Sequence, residues 1–209
     1  MDIERIKGKA AIVTGGSSGI GRAVAISLAR AGADVAVVGR DPFRIGDVVR
    51  AIRMENPGQK AVGLSLDVRK EPDMEEMARR VVDEFGRIDV LIASAGSGGG
   101  MAAARGLPYA VVQMPAEEWD EVMDTNLKGI FYSNRAVLRV MFRQGRGDII
   151  NVSSSRGAKK GLAYASAYSA SKHGVMGLSE AVAEEARPYG VRVQTVLPDV
   201  TETQMLHVT

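Results

Sequence analysis

The sequence predicts one α/β domain over residues 1–209, built on a doubly wound parallel sheet with helices on both faces. Three observations carry that reading. Short apolar runs alternate with longer amphipathic segments from one end of the chain to the other. The short runs are apolar throughout, as strands covered on both faces are. Each strand–helix–strand repeat implies parallel strands joined by right-handed crossovers, and no linker or solenoid-type repeat interrupts the alternation.

The first strand is predicted over 9–14 and enters a glycine-rich turn; a helix over 20–31 follows and stops at Gly32. After a strand over 34–38, Asp41-Pro42 places proline near the first turn of a helix over 42–55, with Gly58 beyond its end. A strand over 61–66 leads to Glu71-Pro72, which opens a helix over 72–85 that Gly86 stops. The fourth strand is read over 88–93. Residues 97–115 form the one long loop, Gly- and Ala-rich, and a loop of that length in a compact domain is functional or partly disordered. A single long helix over 115–143, a strand over 148–152, a helix over 167–189 ended by Gly190, and a strand over 191–197 complete the order.

At 209 residues the chain fits one domain with a substantial core. Lys and Arg exceed Asp and Glu by only 27 to 25, a surplus too small to predict nucleic-acid or anionic-membrane binding. The absence of cysteine excludes disulfides and thiolate metal sites, and two histidines, His173 and His207, are too few and too far apart for a zinc site. Residues 1–7 lack the apolar run of a signal peptide, and no apolar stretch of the sequence approaches the roughly 20 residues of a membrane span. The expected setting is reducing and cytoplasmic, without nucleic acid, membrane or metal as partner.

Directly after the first strand stands Thr14-Gly15-Gly16-Ser17-Ser18-Gly19-Ile20-Gly21. Glycines in such a loop turn tightly, let backbone amides approach a pyrophosphate, and pack helix against sheet. The following helix adds unsatisfied N–H groups and a positive dipole end. The spacing is Gly-xxx-Gly-x-Gly, not Gly-x-Gly-xx-Gly; the strand before and helix after separate a dinucleotide loop from an ordinary turn. Gly15, Ser17, Ser18, Gly19 and Ile20 are the candidate phosphate contacts. A ribose-binding acid belongs about 20 residues beyond the glycines, but that position holds Gly39, followed by Arg40. A guanidinium suits a 2′-phosphate, which favours NADP(H). With Arg40 merely solvated and Asp41 on the ribose hydroxyl, the cofactor would be NAD(H).

Tyr168-Ser169-Ala170-Ser171-Lys172 puts a phenol and an ammonium at i and i+4, on one face of a helix. A free phenol titrates at about 10, and a nearby positive charge favours its phenolate. Hydride addition to a carbonyl needs a proton donor and the reverse reaction needs a base; a tuned tyrosine fills both roles. Alone the pattern is common by chance. Its weight comes from its position after the fifth strand of a chain that already carries the phosphate loop.

Taken in order, the loop 14–21, Asp67-Val68, Ala95-Gly96, Asn126, Ser153-Ser154-Ser155, Tyr168-xxx-Lys172 and Pro198 resemble the short-chain dehydrogenase/reductase family, from Lys7 to Met205. The resemblance implies a Rossmann-type sheet in strand order 3-2-1-4-5-6 and an oxidoreductase moving a hydride between NADP(H) and a ketone, aldehyde or secondary alcohol. It implies Tyr168 as general acid/base and Lys172 as the group that tunes it and binds the nicotinamide ribose. It also implies a serine holding the substrate oxygen and Asn126 anchoring a water that links the lysine to solvent. The usual family spacing back from the tyrosine points to Ser155, while a Ser-x-x-Gly pattern ending at Gly157 points to Ser154, which is favoured because the turn after the strand varies less. Asp67 and Val68 resemble adenine contacts, Ala95 and Gly96 the wall beside the cofactor, and Pro198 the start of the nicotinamide loop. The helices over 115–143 and 167–189 resemble the pair through which family members form dimers and tetramers.

Three features depart from the family pattern. Ser94 replaces an asparagine before Ala95-Gly96, and Asp199 stands after Pro198 where glycine is usual, putting a carboxylate near the expected nicotinamide. The chain stops at Thr209, where family members usually continue into a helical lid and a seventh strand, both of which are expected to be absent here; an uncovered sixth strand is an aggregation liability. Asp199 and the short C-terminus favour an alternative, a non-catalytic dinucleotide-binding module with a truncated substrate site. Tyr164 and Tyr189 are read as packing residues, Trp119 as an anchor for its helix, and Met101, Met114, Met123 and Met141 as core and loop filler.

Overall fold

The computed structural model describes residues 6–98 and 109–201. β1 (Ala10–Thr14) is Ala-Ala-Ile-Val-Thr, and all five residues are buried. A strand so lacking in polar side chains needs cover on both faces and a partner on both edges. It pairs in parallel with β2 (Asp34–Gly39) on one side and β4 (Val90–Ala93) on the other. β3 (Ala61–Ser65) extends the first half, and β5 (Gly147–Val152) and β6 (Val191–Val196) extend the second. The sheet order is β3-β2-β1-β4-β5-β6, all parallel, the Rossmann-type arrangement. The order reverses between β1 and β4, and there the crevice beyond the strands' carboxyl ends can take a ligand.

Two cores flank the sheet. On one face Ala11, Val13, Val35, Val37 and Ile92 pack against Ala25, Ile26 and Ala29 of α1 (Gly19–Arg30) and Ile45, Val48, Val49 and Ile52 of α2 (Pro42–Glu55). On the other, Ile12, Val38, Leu91 and Ile149 meet Met74, Met77 and Val81 of α3 (Glu71–Phe85), while Ile130, Val137 and Met141 come from α5 (Gly129–Gln144) and Val175 from α7 (Ser166–Ala186). Buried apolar surface of this kind is worth about 25 cal/mol per Å² and is what holds the layers together. Asp41 caps α2 by accepting from the amides of Phe43 (2.9 Å) and Arg44 (3.2 Å).

The strands lie within a residue or two of their predicted bounds. β3 and β6 are only partly buried instead of buried throughout, because each is an edge strand among the described residues. The predicted single helix over 115–143 is two helices, α4 (Ala116–Met123) and α5, joined by a π-turn at Asp124–Lys128. The wider turn lets both Thr125 and Asn126 face the interior. A one-turn helix, α6 (Ser155–Ala158), lies in a stretch for which the sequence predicts no element. Tyr164 and Trp119 do not pack as predicted: both are exposed, and Tyr164 has φ 62°, the left-handed region. Tyr189 is half exposed but stacks on Phe142, ring centroids 4.0 Å apart. Among the described residues no helix is long and apolar enough to cross a membrane, and no cluster of side chains could hold a metal ion. Most of the predicted loop, together with Met101, His207 and the end of the chain, lies outside the described residues.

Candidate functional site

The carboxyl ends of β1 and β4 bring the phosphate loop against Ala95. Gly15 has φ 66°, and a Cβ on it would lie 2.8 Å from Ala95 Cα, so only glycine allows this approach. A Cβ on Gly21 would run into the Gly15 carbonyl. The Gly16 amide donates to the Val38 carbonyl at 3.1 Å, tying the loop to β2. Ser18 caps α1 by backbone position alone: its side chain makes no cap bond, and the first turn holds no acid. The first amides of α1, with Gly19 and Ile20, are therefore left to an outside acceptor, and an anion such as a pyrophosphate fits them.

At the end of β2, a Cβ on Gly39 would lie 2.9 Å from Ser17 Oγ, so the phosphate loop itself fills the position expected of a ribose-binding acid. Arg40 is exposed, its backbone carbonyl held by Ser65 Oγ at 3.1 Å. Asp41 is engaged by its cap bonds and by Arg44 Nε at 3.2 Å. Asp67 and Val68 follow β3. Both carboxylate oxygens of Asp67 accept from Arg69 (2.6–3.0 Å), and these hydrogen bonds hold the acid below the usual carboxylate range, with a smaller contribution from the Arg40 charge.

Gly96 stands between the two halves of the site: a Cβ on it would lie 3.4 Å from Asn126 Oδ1 and 3.8 Å from Lys172 Nζ. Asn126, fully buried, accepts from the Ser97 amide (2.7 Å) and donates to the Ser97 carbonyl (2.9 Å) and to Ser171 Oγ (3.1 Å). Ser171 donates in turn to the Tyr168 carbonyl at 2.7 Å. Lys172 Nζ donates to the Val152 carbonyl at 3.1 Å and lies 5.7 Å from the centroid of the Tyr168 ring. Burial lowers the Lys172 ammonium to about 8.

The three serines after β5 separate by their partners. Ser153 is buried and donates to the Lys172 carbonyl at 2.8 Å. Ser155 gives its amide to the Pro198 carbonyl at 2.9 Å, and its hydroxyl meets Asp199. The Ser154 hydroxyl makes no hydrogen bond among the described residues, nor does that of Tyr168. α6, which starts just after Ser154, packs directly on the Tyr168–Lys172 turn: a Cβ on Gly157 would lie 2.9 Å from Tyr168 Cε1 and 3.1 Å from Lys172 Cβ. Asp199 is exposed and accepts from the Val200 amide at 2.8 Å. That bond first, then the Ser155 hydroxyl and the charges of Arg156 and Lys159, keep it below the usual carboxylate range.

The structure thus gathers Asn126, Ser154, Tyr168, Lys172 and Gly96 at the carboxyl ends of β4 and β5, with the glycine loop beside them at β1. Sequence reasoning missed Arg69, Ser97 and Ser171, and saw Gly157 only as part of a pattern. Ser171 had a signal: a small polar residue inside a helix, one place before a lysine read as functional, needs a partner.

A family model described as short chain dehydrogenase matches residues 9–209. A Streptomyces virginiae protein assigned as the ketoacyl reductase of the monensin polyketide synthase is 42% identical over 200 residues, covering 94% of this chain and 72% of that protein. The 3-oxoacyl-(acyl-carrier-protein) reductase of Vibrio cholerae is 38% identical over 200 residues, 96% of this chain and 76% of that one. Among solved structures, levodione reductase matches with a TM-score of 0.89 at 32% identity, over 96% of this chain and 74% of its own. Identity at this level over nearly the whole chain carries the likeness from fold to family.

Proposed function

We propose that this chain, which belongs to the short chain dehydrogenase family and is an NAD(P)-dependent oxidoreductase, uses NADP(H) to interconvert a ketone or aldehyde and its alcohol, with Tyr168 as general acid/base. Relatives named as ketoacyl and 3-oxoacyl reductases support a 3-ketoacyl group as the substrate. The observation that carries the reading is the pair of unengaged hydroxyls, Ser154 and Tyr168, set around one α6 turn beside a buried lysine.

The dinucleotide, when bound, supplies or accepts the hydride. Gly15, Ser17, Ser18, Gly19 and Ile20 hold its pyrophosphate, Asp67 and Val68 border the adenine, and Ala95, Gly96 and Pro198 border the nicotinamide end. In the reductive direction Ser154 donates a hydrogen bond to the substrate oxygen, and Tyr168 gives that oxygen its proton. In the oxidative direction the Tyr168 phenolate takes the proton back. Lys172 places positive charge beside the phenol and donates toward the nicotinamide ribose. Asn126 holds the loop at Ser97 against the catalytic helix and keeps a path open for proton exchange with solvent. The choice of NADP(H) is supported by Ser17 filling the place of a ribose-binding acid, by Asp41 being engaged as a cap, and by Arg40 being exposed to meet a 2′-phosphate.

Tyr168→Phe tests the assignment. Turnover of a 3-ketoacyl thioester with NADPH should fall at least about 1,000-fold, toward the upper part of the range usual for general acid/base groups, because the phenol is the proton donor of the reductive step. NADPH affinity and melting temperature should stay close to wild type; near wild-type kcat would sink the reading.

The chain also forms a homodimer or homotetramer in a cytoplasmic setting. An apolar groove between the α4–α5 run and α7, lined by Met123, Leu127, Phe131, Gly174 and Leu178, supports the helix faces as the contact. Phe131→Glu should shift the sedimentation coefficient to that of a smaller species, and no shift would exclude this face.

A further inference from the structure

Asp67 is tied to the fold at its backbone by one set of contacts and at its side chain by another. Its amide donates to Asp73 Oδ2 at 2.8 Å, and its carbonyl accepts from the Lys70 amide at 3.0 Å. Val68, the next residue, is buried against the start of α5, where a Cβ on Gly129 would lie 2.8 Å from Val68 Cγ2. These contacts place the main chain and leave the carboxylate free to turn.

Arg69 removes that freedom. Its amide donates to Asp67 Oδ1 at 3.0 Å, its Nε is shared between Oδ1 (3.0 Å) and Oδ2 (2.9 Å), and its Nη2 donates to Oδ2 at 2.6 Å. A guanidinium fork of this kind fixes direction as well as distance. A carboxylate offers about four lone-pair sites, so three N–H donors leave one. The Asp67 side chain is 13% exposed, so little water competes for that site.

Arg69 has further acids to hold it. Glu121 of α4 and Asp124 of the π-turn add their charge to that of Asp67 around the guanidinium. Arg40 is another cation whose charge reaches the Asp67 carboxylate. Without its fork the carboxylate would be drawn toward Arg40, the group assigned above to the 2′-phosphate.

We propose that Arg69 is the positioning residue of adenine recognition: its fork holds the Asp67 carboxylate so that the one remaining acceptor site takes an N–H of the base's 6-amino group. This deepens the reading of Asp67 as an adenine contact and rests on it. Arg69 acts through Asp67 and touches no part of the dinucleotide. Its contribution is to order the acceptor before binding, which spares the cost of immobilising a side chain when the base arrives.

The test is a fluorescence titration of the full chain with NADPH and with its analogue in which hydrogen replaces the 6-amino group. The ratio of the two dissociation constants is read without turnover. Wild type should prefer NADPH by at least about ten-fold, the worth of one hydrogen bond to a charged group. Asp67→Ala should bring the ratio to within about two-fold of one, because the acceptor is gone. Arg69→Ala should lower the ratio by at least about three-fold, the cost of ordering one released side chain. Its melting temperature should stay within a few degrees of wild type, since a partly exposed ion pair adds little stability. Arg69→Lys keeps the charge but cannot form the fork, so the wild-type ratio should not return. In the Asp67→Ala background, Arg69→Ala should move the ratio by less than about two-fold, since nothing is left for it to act through.

A smaller fall in Arg69→Ala, a full wild-type ratio in Arg69→Lys, or a further change in the double variant overturns the positioning role while leaving Asp67 as the adenine contact. A wild-type ratio near one, or a ratio that survives Asp67→Ala, overturns the adenine reading and the inference with it.

Discussion

Lys172 reaches across from α7 to the end of β5, where its Nζ donates to the backbone carbonyl of Val152 at 3.1 Å. That bond fixes the ammonium between sheet and catalytic helix, while burial strips away its water. The group is held at about 8 against a usual 10.5. The site thus keeps a charge the fold disfavours, a common signature of a functional lysine.

The first prediction follows from this imbalance. The folded lysine has the depressed value, so between about pH 8 and 10.5 the unfolded chain binds more protons, and stability rises with pH through that window. Below about 8 the full penalty is present, on the order of 3 kcal/mol. Lys172→Met removes the charge and gives up one hydrogen bond worth about 1 kcal/mol. The variant without cofactor should therefore melt several degrees above wild type at pH 7, and the gain should vanish above pH 10.5 while activity is lost. Calorimetric melts at both pH values check this; a variant less stable than wild type at pH 7 would contradict it.

Gly157 gives a second prediction. A methyl group there would press on the Tyr168 ring edge and the Lys172 stem at 2.9–3.2 Å, so the helix or the phenol must shift. Gly157→Ala should lower kcat by about ten- to a hundred-fold, the cost expected of an ångström-scale misplacement. NADPH affinity should hold, because the phosphate loop is untouched. Gly161→Ala, where a Cβ meets nothing within 4 Å, is the control and should retain kcat. Equal losses in both variants would exclude the packing explanation.

The central strands were legible because β1 and β4 are buried on both faces and so read as unbroken apolar runs. The edge strands β3 and β6 were placed as closely, but their partial exposure was not legible, since it depends on their place at the sheet's edges. The π-turn at Asp124–Lys128 was not legible at all: one extra residue in a turn changes which side chains point inward without disturbing an apolar period read over a long window. In the site, Gly15 and Gly21 carried their meaning in sequence because backbone contact forces their identity. Ser154 and Ser155 did not, because only their own hydrogen-bond partners in the folded chain separate them. Substrate recognition was out of reach, since the composition of a loop does not encode a ligand.

The Ser171–Asn126 bond supplies a third prediction. Ser171→Ala removes the acceptor of one Asn126 N–H in a fully buried setting, at a cost of about 1–3 kcal/mol. It also releases the Tyr168 carbonyl. If Asn126 acts on the catalytic turn through Ser171, kcat should fall with KM for the ketone little changed. Asn126→Ala and the double variant should then show nearly the same kcat. Additive losses in log kcat, or a lower melting temperature with kcat intact, would show that the serine only packs.

The last prediction concerns the choice of dinucleotide. Arg40→Ala removes the exposed guanidinium at the end of β2, and a charge-assisted contact of that type is worth about 1.5–3 kcal/mol. NADPH affinity should fall by about ten- to a hundred-fold, and NADH affinity should move by less than about three-fold, since its ribose brings no phosphate to that position. Gly39→Asp alone should weaken both dinucleotides, because the new Cβ would stand 2.9 Å from Ser17 Oγ and displace the phosphate loop. Ser17→Gly/Gly39→Asp removes that collision and supplies the ribose acid the chain lacks, so NADH binding should recover relative to Gly39→Asp alone while NADPH binding stays low. Fluorescence titration of the four proteins with both cofactors decides it. Equal loss of NADH and NADPH in Arg40→Ala would mean that the arginine supports the loop rather than reading the 2′-phosphate.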